Sequence, residues 1–131
     1  MKDIKRHISV SKIETYLYSL IYNKVSKHVY PDTLPDTTDS SWNDMVLIDC
    51  GRTTNYDAYG RGFVDICLYA RPKGDGSKNV PLLSRMEDKL LTEVENAVDE
   101  HYDIVYNATY PYYDTNRNWH YNVVELLVKI H

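Results

Sequence analysis

The order of hydrophobic segments predicts an α+β domain, with a mainly antiparallel four-stranded sheet and two helices on one of its faces, in the order α-β-β-α-β-β. Three observations lead there. A stripe of apolar residues at helical spacing runs through residues 11–29, a second runs through residues 80–99, and each is followed by a pair of strand-like runs separated by turn residues. At 131 residues the chain reads as one domain, 1–131, long enough to bury a core without a metal or disulfide.

The first helix has a capping-box sequence, Ser11-Lys12-Ile13-Glu14, in which Ser11 accepts from the first turn and Glu14 reaches back. Ile13, Leu17, Leu20, Ile21 and Val25 form its apolar stripe, Tyr16, Tyr18 and Tyr22 widen it, and Pro31 lies beyond its end. Residues 31–44 form a loop broken by Pro31 and Pro35. Asp32, Asp36, Asp39 and Asp44 make it acidic, and Trp42 is the residue expected to anchor it to the body. It lacks the Asp/Asn spacing, central Gly and distal Glu of a calcium loop, so it reads as a solvated acidic loop.

Met45–Cys50 is almost wholly apolar and reads as a strand covered on both faces. Phe63–Ala70 alternates, with Val64, Ile66 and Leu68 on one face and Phe63, Asp65, Cys67 and Tyr69 on the other. The two form a hairpin about a polar tip at Tyr56–Asp57. In that register Cys50 faces Phe63, Cys67 faces Val46, and Asp49 faces Val64. The two thiols then lie roughly 13 Å apart, too far for a disulfide, and are expected to be buried and reduced. The second helix starts at an Asn79 cap with Pro81 in its first turn. Leu83, Met86, Leu90, Val94 and Ala97 line its core stripe.

Ile104–Tyr110 and Trp119–Ile130 form the closing hairpin, with Pro111–Asn118 as the turn. On the longer strand Val124, Leu126, Val128 and Ile130 face the core. The opposite side, Trp119, Tyr121, Val123, Glu125, Leu127 and Lys129, grades from aromatic to charged. Both helices cover one sheet face, so Phe63, Tyr69, Trp119, Tyr121 and Val123 are left on the other, a patch expected to be an oligomer interface.

Composition narrows the function classes. The net charge is −4 with Lys and Arg dispersed, which argues against a broad nucleic-acid-binding face. There are 13 Tyr against one Phe, a bias that suits surfaces buried against a partner. No signal peptide or membrane-spanning run is visible, so a cytoplasm-like compartment and no membrane partner are expected. His7, His28, His101, His120 and His131 include no pair at metal-ligand spacing. His120 lies beside Trp119 on the closing strand, where meeting Asp103 or Glu125 would make a conceivable acid–base pair, but it is read as a surface or hydrogen-bonding histidine. Asp49 and Asp65 lie on adjacent strands, but the register above turns them to opposite faces, which removes a two-metal nuclease reading. No phosphate loop, dinucleotide fingerprint or nucleophile elbow is present. The chain is read as a non-enzyme without cofactor or metal.

Three stretches carry a resemblance. They are the N-terminal helix through Val29 with its proline-containing acidic loop, the long hairpin Met45–Ala70 with its tip Arg52–Arg61, and the helix Val80–Asp99 followed by two closing strands. In this order of elements the chain resembles the tail-terminator and tail-completion family of tailed bacteriophages, which form rings at the head-proximal end of the tail or in the neck. The resemblance implies a structural virion component, assembled in the host cytoplasm as a homo-oligomeric ring, most simply a hexamer with head-to-tail contacts. Its partners would be neighbouring tail-tube or neck proteins, and DNA would be present only in transit through the lumen, which the acidic loop would suit. Arg52, Tyr56, Tyr59 and Arg61 at the tip, with Phe63, Tyr69, Trp119 and Tyr121 on the sheet, are the interface candidates. The alternative is a stand-alone α+β binding or enzyme domain, closing its sheet face on itself as a dimer.

Overall fold

The computed structural model describes residues 10–56 and 59–130, with residues 51–56, 59–60 and 130 described through their backbone alone. The elements are α1 (Val10–Ile21), β1 (Val29–Pro31), β2 (Asp44–Tyr56), β3 (Tyr59–Ala70), α2 (Val80–Asn96), β4 (Tyr102–Asp114) and β5 (Trp119–Ile130). The α+β class and the two helices stand. The sheet, however, has five strands in the order β1-β2-β3-β5-β4 and is mixed, because β1 pairs with β2 in parallel.

The extra strand comes from the tail of the helical stripe. α1 ends at Ile21, not near Val29, because Asn23 takes a left-handed conformation (φ 63°) and the chain turns. Lys24 and Val25 N–H both donate to the Ile21 carbonyl (3.1 and 2.9 Å). Val25 therefore stays one helical repeat beyond Ile21 and stays buried although the helix has stopped. Val29–Pro31 then pairs along Val46–Ile48. Three residues are too few to produce a period-2 signal, and Pro31 is tolerated because β1 is a sheet edge. Ser11, expected as a cap, already lies inside α1.

Parallel neighbours need a crossover, and here residues 32–43 supply it as a loop. Leu34 and Trp42 from this loop pack on the sheet face opposite the helices. The second connection, β3–α2–β4, crosses over the helix face and leaves a gap that β5 fills antiparallel to both neighbours. α2 starts as the sequence indicates, with Asn79 Oδ1 accepting from Leu82 N–H (3.3 Å) and Pro81 in the first turn. It ends at Asn96, short of the expected Asp99. β4 continues through Pro111, Tyr112 and Tyr113, which were expected in the turn. As an edge strand it tolerates the missing N–H.

The main core lies between the helices and one sheet face. Ile13, Leu17 and Ile21 of α1 and Leu83, Met86 and Leu90 of α2 meet Val46, Ile48, Val64, Ile66, Leu68, Val124, Leu126 and Val128. A second, smaller cluster of Met45, Cys67, Tyr69 and Trp119 sits on the other face beneath the crossover loop.

Candidate functional site: the half-covered sheet face

The face away from the helices is ordered in rows by the strand registers. Met45, Tyr69, Tyr121 and Tyr112 form an aromatic row, and Leu47, Cys67, Val123 and Tyr110 the next. Asp49, Asp65 and Glu125 then stand side by side on three adjacent strands. Phe63, Leu127 and Val105 follow, and Arg61, Lys129 and Asp103 come last.

Over β2, β3 and β5 the aromatic end is covered by the chain itself, while Tyr110 and Tyr112 on the β4 edge stay exposed. Tyr69 stacks on Tyr121 (4.3 Å between centroids), and Tyr121 stacks on Tyr112 (5.5 Å). Two arginines pin the 32–43 loop over this end through backbone carbonyls. Arg71 Nε donates to Trp42 O (2.7 Å) and Arg71 Nη2 to Asp39 O (2.9 Å). Arg117 Nη2 donates to Pro35 O (2.6 Å) while its Nη1 pairs with Asp114 (3.1 Å). Arg71 also lies 4.7 Å from the centre of the Trp119 ring, and Trp42 stacks on His28 (4.1 Å). The acidic loop is thus anchored by Trp42 as expected, yet it is a cover and not a free solvated segment. Asp39 serves a local turn, accepting from Ser41 N–H and Oγ–H (2.8 and 2.7 Å), bonds that lower its pKa.

The other half of the face is open. Phe63 is 48% exposed and Val105 45%, and Leu127 and Lys129 are half-buried beside them. Of the interface candidates, Tyr69 and Trp119 are buried in the second cluster at 5% and 3% exposure, and Tyr121 is half-buried. Phe63 and Arg61 remain at the surface. The side chains of Arg52, Tyr56 and Tyr59 lie outside the described residues. The closing strand already signalled Leu127 and Lys129 through its aromatic-to-charged gradient, whereas Val105 and the carboxylate row depend on register.

That row corrects the sequence reading. Asp49 pairs with Asp65, not Val64, and Cys67 pairs with Leu47, not Val46. The hairpin closes one residue later than expected, with Tyr56 opposite Tyr59, and a bulge between Asp49 and Arg52 displaces the register again. A slip of one residue turns a side chain to the other face, so the carboxylates converge instead of diverging. Burial, then Glu125, then Asp49 raise the pKa of Asp65. Glu125 accepts from Asn107 Nδ2. Among the described residues, no group of three or more His, Cys, Asp or Glu is placed to hold a metal ion.

Strand alternation separates the cysteines by face, Cys50 following Val46 and Ile48 and Cys67 lying between Asp65 and Tyr69. Cys50 belongs to the main core and Cys67 to the second cluster, both are free, and burial pushes each thiol up to about 12. His120 pairs in register with Ala70 and Tyr113 on the helix face, so neither Glu125, on the opposite face, nor Asp103, at the far end of the sheet, meets it. Its ring packs at 4.8 Å from Tyr113, and burial and Lys78 lower its pKa. No acid–base pair is assembled there.

Elsewhere an open polar recess is bordered by Lys24, Lys27, His28, Trp42, Asp44 and Lys89. Ser26 Oγ–H donates to Asp44 (2.6 Å) and Lys24 pairs with Glu93 (3.4 Å), so two of its charges are already engaged. An apolar recess lies between α2 and β4, with Leu91, Val94, Ile104, Val105 and Tyr106. No helix among the described residues is long and apolar enough to cross a membrane. No protein-family model matches the chain, and no curated protein matches it in sequence.

Proposed function

We propose that this protein is a structural component of a tailed phage or prophage particle, a ring-forming subunit at the head–tail junction or tail end. The observation that carries the reading of an associating subunit is the one-sided sheet. Both helices cover one face, the crossover loop covers half of the other, and a band of apolar and charged side chains is left at the surface. Such a band is the mark of a surface that associates. Support also comes from the order of the two helices and two long hairpins, which resembles the tail-terminator and tail-completion proteins. Exposed Tyr110, Tyr112 and Tyr113 along the β4 edge add the residue type that dominates many interfaces.

In this reading the subunits associate head-to-tail about a closed axis, through the hairpin end and the tyrosine-rich edge. The test is sedimentation velocity and negative-stain microscopy of concentrated protein. Rings of one stoichiometry, hexameric in the simplest case, are expected. Monomers or compact dimers under every assembly-promoting condition would reject the ring.

A further inference from the structure

We propose that the open band of the sheet is a self-complementary docking surface for a second copy of this chain, with a two-fold axis running along the Phe63–Leu127 row. β3 carries Arg61, Phe63 and Asp65 at alternate positions on this face, and β5 carries Lys129, Leu127 and Glu125. The strands pair Arg61 with Lys129, Phe63 with Leu127 and Asp65 with Glu125. Two adjacent strands thus show the same triplet in register: base, apolar residue, acid.

Geometry decides which symmetry suits that pattern. Successive rows are two residues apart, about 6.7 Å, so the acidic and basic rows of one sheet lie about 13 Å apart along the strands. Facing sheets stack at about 10 Å, and the side chains of both fill the gap. Rotation about an axis along the apolar row exchanges the rows on either side of it. Asp65 then faces Arg61 of the second copy, Glu125 faces Lys129 of the second copy, and Phe63 and Leu127 pack on their own counterparts. Of the outer positions, Asp103 falls opposite Ala108 and Asp49 opposite the register position of Thr54, whereas the register position of Arg52, on the Phe63 row, falls opposite its own counterpart. A two-fold axis along the strands would set carboxylate on carboxylate, an arrangement that disfavours association.

A second copy also answers both charged rows at once. A basic partner would satisfy the carboxylates and leave Arg61 and Lys129 facing their own sign. An acidic partner would do the reverse. The raised pKa of Asp65 fits a carboxylate row that gains from a facing cation. The contact goes beyond the ring reading, since a ring closes through head-to-tail contacts and this one is isologous. Where both operate, the assembly has dihedral symmetry.

The test is sedimentation equilibrium over a concentration series for the wild type, Glu125→Lys, Lys129→Glu and the double variant carrying both exchanges. Circular dichroism confirms that each is folded. The wild type is expected to dimerise. Each single variant places like charges opposite each other and weakens the dimer by about tenfold or more. The double variant restores the pairing with reversed polarity and recovers the affinity to within about threefold. Phe63→Arg, at an exposed position on the axis, abolishes the dimer without disturbing the core. A wild type that stays monomeric, a dimer indifferent to the single exchanges, or a double variant that fails to recover would overturn the proposal. Rings that persist in the single variants while no two-fold dimer exists would overturn it and leave the ring reading standing. Dimers that obey the exchange without ever forming rings would do the opposite.

Discussion

Asp65 shows how one residue links register to energetics. It stands between Asp49 and Glu125 on a half-buried surface, and burial with those two carboxylates raises its pKa. A raised acid pKa means that the folded state holds the proton more tightly than the unfolded chain. The stabilising contribution is therefore complete below the unfolded value and is lost as pH rises through the folded one. Asp65→Asn is expected to raise the melting temperature of dilute protein at neutral pH, and the gain should shrink as pH falls through the carboxylate range. A gain that grows toward acid would contradict this account. The cysteines make a second residue-scale case. With both thiols buried and pushed up to about 12, Cys50 and Cys67 hold little thiolate at neutral pH. Both should resist a chromogenic disulfide reagent in the native protein and react once it is unfolded in denaturant.

Among the elements, α2 and the crossover loop are held by different means. α2 has a side-chain cap at Asn79 and a continuous core stripe. Asn79→Ala is expected to cost about 1 kcal/mol, and Leu90→Ala, at a fully buried position, about 2–5 kcal/mol, both read from urea midpoints. The crossover loop contributes no regular backbone ladder and depends on Arg71 and Arg117 reaching its carbonyls. Removing Arg71 leaves those acceptors and the Trp119 ring without their cation. Arg71→Ala should cost about 1–3 kcal/mol and shift the Trp fluorescence to the red as the second cluster is uncovered. A blue shift or no shift would show that the loop stays in place without it.

At the scale of the whole molecule, the two sheet faces divide the labour. The helix face is sealed by a continuous apolar cluster. The opposite face is sealed at its aromatic end over β2, β3 and β5 and open at its charged end and along the β4 edge, so the surface available for association is a band and not a full face. This explains why burial separates the interface candidates: Tyr69 and Trp119 serve the fold, whereas Phe63 is left outward. It also places the association tests at Phe63, Glu125 and Lys129, where substitution spares both cores.

The amino-acid sequence by itself determined the α+β class, the two helices, the two long hairpins and most of the core. Those features rest on periodicities repeated over many residues, and a local pattern survives small errors at its ends. It also contained the signs of the open band, since Glu125, Leu127 and Lys129 alternate visibly on one strand. Tertiary structure alone decided what depends on one residue more or less. The short parallel strand β1 exists because Asn23 turns the chain out of the helix and Val46–Ile48 offers an edge. The meeting of Asp49, Asp65 and Glu125 follows from a hairpin closed one residue later than its composition indicates and from a bulge that no periodicity marks. The cover over the aromatic row comes from arginines far along the chain from the loop they hold. Register and long-range tethering are set by pairing energies summed across strands, so they become visible only where the strands meet.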